Sequence, residues 1–579
     1  MVLKPFEPLV SVAAVAYRYR FYTPDGRILK GRYPAKSFTL LPSREEKVLR
    51  FHELKEYIQS VGIPWSMLAA YYSDVQFVSR PTDDVSFIWL DVVEGIPTTL
   101  HVYNPGGEIL HFGDFKEGWK HLNTTVVGLD LFRFQFRYLA AVPELRDQFI
   151  PYRIGRGEYY GPKYKVAVDI TFFIRWLTGK KPLRIAAEMG LYDYDRLALA
   201  RQLYSLYDIP QVYEVFGTVL NMDRNLMQLV LPDTLKAYVA FQAYLSQGYL
   251  IAGAPPDGDS SDDPKVLHIA KPGLYRDYVE YDVSAAYPTT CAVLSVDPYG
   301  THVFPTLMAT LLALRESLSS EHAQKIAKGL ANSLIGMMKY AKSPFRNVKA
   351  WLQVVNGFYD IFAPIAEKYC AVWAHTDNMV VPAGSPPPEL PYGYRVRLKH
   401  RFAWISVLDA GRYVALDADS RSLIVKGLNF SAPWGSPVQF PQVFVRARQL
   451  LESMVVENPD LTWADPKTMS DVIESVVKRS LSDDPCDYEL VYLVARNEVP
   501  SDPVKSSIFP RLRPGVNRGV LTGDAFLPVD SVSFRDVDLR WYIEAMVMSL
   551  MEYFASRDFQ LGLVLARKIA SEVVGGAKG

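Results

Sequence analysis

Two aspartates stand where the chain can fix a carboxylate. Asp282 follows a run of strand formers, Leu274 to Tyr281, that begins after the turn signal Lys271-Pro272-Gly273. Asp377 falls in Trp373-Ala374-His375-Thr376-Asp377-Asn378-Met379-Val380-Val381, which reads as two strand-like halves around a tight turn. Carboxylates held at strand ends and turns are rigid, which suits divalent ions and the chemistry they assist. Taken singly, an aspartate at a strand end is more often a turn or cap residue. Pro288 and Thr289, just beyond Asp282, are expected to redirect the chain. Between the two aspartates, Lys328-Gly329-Leu330-Ala331-Asn332-Ser333-Leu334-Ile335-Gly336 lies on a helical run ending at a glycine. It sets a cation, an amide and a hydroxyl on one helix.

In this order and spacing, the three stretches resemble motifs A, B and C of the B-family DNA polymerases. Those patterns are D-x-x-S-L-Y-P, K-x-x-x-N-S-x-Y-G and Y-x-D-T-D-S. Asp282, Tyr287 and Pro288 match the first; Lys328, Asn332, Ser333 and Gly336 the second; Thr376 and Asp377 the third. The resemblance is greatest to the short, divergent archaeal members, whose exonuclease and polymerase motifs are both altered.

That resemblance implies a set of roles. Asp282 and Asp377, with the carbonyl of Val283, would hold two Mg²⁺ ions, with Mn²⁺ as a possible substitute. Val283, Ser284, Tyr287, Arg315, Lys328, Asn332 and Ser333 would surround the incoming nucleotide, with Tyr287 under the sugar, excluding a 2′-hydroxyl. Gly411-Arg412-Tyr413 resembles the K-x-Y element at the primer terminus, with Arg412 as a substitute cation, and Lys426-Gly427 resembles the K-G turn after it. His375, Arg412, Tyr413 and Lys426 would meet the primer strand. Four departures bear on activity. His375 replaces the first aspartate of D-T-D, Ile335 the motif B tyrosine, Gly411 a lysine, and Ala285-Ala286 the S-L pair. The smaller Ala285 and Ala286 are expected to loosen the nucleotide pocket, and Ile335 to remove a ring that monitors the nascent pair.

The elements that must position these residues imply an α+β multidomain chain: a right-hand polymerase with palm, fingers and thumb, behind an N-terminal domain and an RNase H-like, exonuclease-type domain. The expected boundaries are 1–85, 86–215, 216–303, 304–340, 341–434 and 435–579. One helix is expected over Arg44 to Val61, and two over Phe304 to Tyr340 with a turn near Ser319-Ser320-Glu321. Pro255 to Pro264 reads as a solvated acidic loop. Thumb helices are expected over Val443–Val456, Pro466–Leu481 and Leu539–Ser556, touching duplex phosphates rather than bases.

Phe87 to Asp91 reads as a buried strand ending in Asp91, and Val126 to Asp130 leads into a helix. The family's exonuclease domain places four carboxylates around two metal ions. Its D-x-E motif is broken: Val93 stands two after Asp91, and Glu94 comes one place late, turned to the other strand face unless a bulge intervenes. Gln135 follows Phe134 where an aspartate belongs, while Tyr204 and Asp208 keep the Y-x-x-x-D spacing. The resemblance therefore implies a scaffold without proofreading.

Lysine plus arginine equals aspartate plus glutamate, so any nucleic-acid groove must be a local stripe. Cys291, Cys370 and Cys486 show no metal spacing and read as buried small residues of a cytoplasmic protein. No run is long enough to span a bilayer. The short intervals between the motifs leave no room for the insertions of the protein-primed branch. The implied partners are primer-template DNA, deoxynucleoside triphosphates, and replication or repair accessory proteins. The implied function is an active, low-processivity polymerase for lesion bypass, mismatch extension or repair synthesis. The alternative is an inactive polymerase that binds primer-template DNA as a structural or regulatory subunit.

Overall fold

The computed structural model describes residues 8–60, 76–77, 81–189, 195–256, 260–428, 439–481, 490–495, 516–556 and 558–576, apart from positions 10, 16, 17, 24, 33, 34, 155, 156, 231, 523, 524, 529–531 and 533–536. Its internal contacts divide the chain into two units. The first is Met1–Pro182, Asp193–Pro264 and Ala285–Phe358; the second is Leu183–Tyr192, Lys265–Ser284 and Tyr359–Gly579.

The first unit begins with short strands, paired in both parallel and antiparallel fashion. The helix expected over Arg44 to Val61 forms only from Phe51 to Ser60. Glu46–Leu49 instead pairs antiparallel with Lys36–Leu41, so strand pairing overrides local propensity there. Glu53 marks the helix start by accepting the Arg50 N–H at 2.7 Å.

A five-stranded sheet follows. Its strands are β1 (Val85–Val93), β2 (Ile96–Tyr103), β3 (Ile109–Phe112), β4 (Thr125–Gly128) and β5 (Val166–Asp169). Their order is β3-β2-β1-β4-β5. The first three form an antiparallel meander, and β4 lies parallel to both β1 and β5. β4 and β5 are buried throughout, as strands covered on both faces must be. β1 runs past Asp91 to Val93, so the strand does not end at that aspartate. Helix α1 (Arg196–Leu206) packs along β1, with the Arg196 guanidinium 4.6 Å from the Trp89 ring centre.

Three helices close this unit: α2 (Ala286–Val293), α3 (Val303–Ser317) and α4 (Glu321–Met337). Pro288 does not turn the chain away. It lies in the first turn of α2, where a missing N–H costs nothing. Ser320 caps α4, its hydroxyl accepting the Ala323 N–H. The buried stripe of α4 is Ala323, Ile326, Ala327, Leu330, Ala331, Leu334 and Ile335, a helical repeat.

The second unit is built on a seven-stranded antiparallel sheet: β6 (His268–Ala270), β7 (Gly273–Ser284), β8 (Trp373–His375), β9 (Asn378–Pro382), β10 (Arg395–Val407), β11 (Tyr413–Asp417) and β12 (Leu423–Lys426). The order is β6-β8-β9-β7-β10-β11-β12, so β7 is central. Beyond it lie α5 (Gln442–Glu457), α6 (Pro466–Ser480), α7 (Leu539–Met551) and α8 (Phe559–Gly576). Leu451, Ile473, Tyr542, Ile543 and Ile569 share one core with Trp404 and Val414 of the sheet. The Tyr542 hydroxyl donates to the Leu490 carbonyl at 2.8 Å and accepts the Leu521 N–H, which ties this helical core together.

Candidate functional site

The hairpin β8–β9 turns on two residues, Thr376 and Asp377, with His375 and Asn378 paired across its neck. Thr376 takes a positive φ of 55°, unusual for a β-branched residue and a sign of local strain. The hairpin docks on β7 in a register that sets Asn378 opposite Asp282. One further bond fixes the tip: the Val283 N–H donates to the Asp377 carbonyl at 2.8 Å. Asp282 on β7 and Asp377 in the hairpin turn are thereby brought side by side. Asp282 lies two residues inside the strand end rather than at it. Asp377 accepts from the Thr376 hydroxyl at 3.0 Å and from the Asn378 amide at 2.9 Å, both through Oδ1. Asp282 Oδ2 lies 3.4 Å from Nη2 of Arg397. Among the described residues, Oδ1 of Asp282 and Oδ2 of Asp377 take no hydrogen bond.

The same face of the sheet carries a polar network that sequence reading missed. Glu280, two residues before Asp282, is fully buried. It accepts from the Tyr413 hydroxyl at 2.8 Å and from Lys399 Nζ at 3.1 Å, with Lys426 Nζ at 3.6 Å. A register shift in β7–β10 beside Glu280 lets Lys399 join this group, where it also reaches Asn378. Lys426 lies over the Trp373 ring, 4.3 Å from its centre. Burial pulls the Lys426 ammonium below its usual range, and the Glu280 charge opposes that shift.

Two residues expected at the primer strand turn inward. Tyr413 is 1% exposed, and its hydroxyl is spent on Glu280. Arg412 is 5% exposed and turned inward, with Nε on Asp409 at 2.7 Å and Nη1 on the Glu552 carbonyl at 2.9 Å. Arg412 therefore joins the sheet to the end of α7 and presents no cation for a lysine lost at Gly411. The Lys426-Gly427 turn needs its glycine: φ is +73°, and an added Cβ would meet the Gly411 carbonyl oxygen at 1.9 Å.

His375 Nδ1 lies 3.0 Å from Nδ1 of His268 on the edge strand β6. Burial, then the charges of His268 and Lys426, hold the His375 imidazole below its ordinary proton affinity, and Asp377 opposes them.

In the first unit, Lys328 is half-buried on α4 and Asn332 is exposed one turn on, with Ser333 beside it. Ile335 is 3% exposed and packs in the helix core. Ala285 and Ala286 are likewise buried. Ala285 reaches a left-handed φ of 52° at the start of α2. Tyr287 follows, half-buried, with its ring edge-on to Phe358 at 5.7 Å. Arg315 lies in the last turn of α3.

The exonuclease-type positions do not converge. Asp91 is half-exposed and engaged by its own strands, with the Trp89 indole at 3.0 Å and His101 Nε2 at 2.7 Å. His101 Nδ1 in turn lies 2.7 Å from Nδ1 of His111. Val93 is exposed. Glu94 and Gly95 form the β1–β2 turn with φ of 50° and 82°, so Glu94 stands at a hairpin tip rather than on a strand face. A register shift does occur between Asp91 and Val92, but Glu94 lies beyond it. Gln135 is fully buried, and its amide donates to the Leu129 carbonyl at 2.8 Å, a bond no carboxylate could make. Tyr204 packs edge-on against Phe87 at 5.3 Å, and Asp208 begins the next helix with φ 46°. Phe87 is separated from Asp91 by about 13 Å of strand. A different acid pair closes this sheet: Asp169, 5% exposed, accepts the Asp130 N–H at 3.1 Å. Burial first, then the Asp130 charge, push the Asp169 carboxyl up to about 7.

Among the described residues, no group of three or more His, Cys, Asp or Glu is arranged to hold a metal ion. Asp282 and Asp377 supply two hard carboxylates, each with an unengaged oxygen. That set fits an ion such as Mg²⁺, which keeps its waters and takes further oxygens from a phosphate substrate. Cys291 is buried, Cys370 is exposed rather than buried as expected, and Cys486 lies outside the described residues, as do residues 257–259 of the acidic loop. Among the described residues, no helix is long and apolar enough to cross a membrane.

No protein-family model matches the chain, and no curated protein sequence does. Among solved structures, it is similar to the family B DNA polymerase from the hyperthermophilic archaeon Pyrobaculum calidifontis. The TM-score is 0.60 at 13% identity, over 95% of this chain and 99% of that one. At this identity the likeness establishes the fold: the chain has the α+β multidomain architecture of a family B polymerase.

Proposed function

We propose that the chain is a template-directed DNA polymerase that extends a primer 3′-hydroxyl without proofreading. The observation that carries this reading is the pairing of Asp282 with Asp377. A central strand and a two-residue hairpin bring together the two carboxylates of motifs A and C, in a chain whose fold is that of a family B polymerase. In this reading the two carboxylates hold two divalent ions, which when bound supply charge stabilisation at the reacting phosphate. Lys328 meets triphosphate oxygens as a point charge, and Asn332 and Ser333 shape the floor under the nascent pair. Lys399 and Lys426, both presented by Glu280, take the place of Arg412 and Tyr413 toward the primer strand.

The β3-β2-β1-β4-β5 sheet supports reading residues 86–215 as an RNase H-like scaffold. In this reading its nuclease is lost: Asp91 is engaged by Trp89 and His101, Glu94 stands in a turn, and Gln135 is a neutral, buried amide. Synthesis without editing suits lesion bypass, mismatch extension or repair synthesis. A second reading, primer-template binding without catalysis, is favoured by the contact of Arg397 with Asp282.

The test is extension from a mispaired primer 3′ end with Mg²⁺ and the four deoxynucleotides. Elongation with no shortening of the mispaired end supports the proposal. Shortening would restore the nuclease, and retained DNA binding without elongation would favour the scaffold.

A further inference from the structure

Arg397 stands where an incoming metal ion would meet it. It lies directly opposite Asp282 across β7–β10, with Nη2 3.4 Å from Oδ2. The carboxylate side chain is 14% exposed, while the guanidinium is 55% exposed and has room to turn. Nor is it alone. Arg395 lies opposite Ser284 on the same strand face, and Lys399 and Lys426 share Glu280. Asp282 and Glu280 thus meet three cations, Arg397, Lys399 and Lys426.

This is not an acidic sink for bare divalent ions. An ion approaching Asp282 is repelled by the guanidinium already there, at a separation where Coulomb terms in a partly buried site are appreciable. An ion carried by a triphosphate arrives inside a net anionic complex, which the same cations attract. A planar guanidinium can release the carboxylate and take two phosphate oxygens instead.

We propose that Arg397 is a built-in counter-cation of Asp282: it keeps free divalent ions off this carboxylate and makes their entry depend on an accompanying triphosphate. The proposal rests on the polymerase reading above for the identity of the anion. Arg397 acts here as a specificity-determining residue for the form in which the ion enters.

The experiment is Mn²⁺ binding to the full chain, read by electron paramagnetic resonance of unbound Mn²⁺, with and without a non-hydrolysable deoxynucleoside triphosphate. Without nucleotide, Arg397→Gln should tighten Mn²⁺ binding about tenfold, the scale on which one neighbouring charge shifts an equilibrium at a carboxylate. Arg397→Lys, which keeps the charge, should stay near the natural chain. Adding Asp282→Asn to Arg397→Gln should remove the gain, and with nucleotide present Arg397→Gln should bind no better than the natural chain. Equal nucleotide-free binding by Arg397→Gln and the natural chain would overturn the proposal, as would a gain that survives Asp282→Asn. Primer extension by the natural chain is scored separately. Extension without the Mn²⁺ gain removes the counter-cation and leaves the polymerase. The gain without extension does the reverse.

Discussion

The amide of Val283 donates to the carbonyl of Asp377 at 2.8 Å, and this bond pins the tip of one hairpin to the strand that carries Asp282. The two carboxylates are therefore positioned by backbone, not by flexible side chains. Rigid presentation of this kind is what two-ion phosphoryl chemistry needs from a protein.

Tyr413 is expected to act through Glu280 and not through DNA. Tyr413→Phe leaves a fully buried carboxylate one hydrogen bond short, which should cost about 1–3 kcal/mol of stability. Primer-template affinity in the folded variant should stay within about twofold, since no exposed group is lost. Denaturant unfolding and a binding titration at fixed salt check the two parts. A large loss of affinity with unchanged stability would return Tyr413 to the primer.

Asp169 should make the first unit lose stability as pH rises from acid to neutral. Its folded carboxyl is raised to about 7, so the native state holds a proton that the unfolded chain releases at lower pH. Between the unfolded carboxylate range, about 4, and about 7, the native state binds more protons, and stability falls as pH rises. The contribution is present below about pH 4 and fully lost above about 7. Asp169 caps the helix Ile170–Thr178 by accepting the Thr171 N–H; Asp169→Asn mimics the protonated form and can still make that bond, so it should flatten this decline. Melting temperatures of the two chains from pH 5 to 8 are the measurement. Parallel profiles would contradict the assignment.

Some of this was legible in the sequence, and the reasons differ by residue. The α4 helix shows in the spacing of Ile326, Leu330 and Leu334, and the β8–β9 turn in polar Thr376-Asp377 between apolar runs. Glu280 was not visible, because a glutamate in a strand reads as solvent-facing until Tyr413 and two lysines converge on it from three other strands. Arg412 and Tyr413 matched a motif in order, but their side chains turn into the core, which spacing along the chain does not report. Tyr204 and Asp208 kept a motif spacing, but α1 packs Tyr204 against Phe87, and Asp208 begins the next helix. The Glu94-Gly95 turn is hard to see in the sequence because its two positive φ values leave only a lone glycine as their mark.

Lys328 should bear on nucleotide binding more than on DNA binding. Lys328→Ala removes one charge-assisted contact, worth about 1.5–3 kcal/mol, so the KM for deoxynucleotide should rise about tenfold or more. Lys328→Arg should recover part of this, because it restores the charge. Steady-state kinetics at saturating primer-template decide. An unchanged KM in the alanine variant would place Lys328 among ordinary surface cations.

The most direct measurement is single-turnover primer extension with Mg²⁺, comparing the natural chain with Asp282→Asn and Asp377→Asn. The account predicts extension by the natural chain and a fall of at least about 10²-fold in each variant, the scale of losing one preorganised stabiliser of transition-state charge. Primer-template binding should persist in both. Extension that survives either substitution at near-natural rate would contradict the claim that these two carboxylates form the reactive centre.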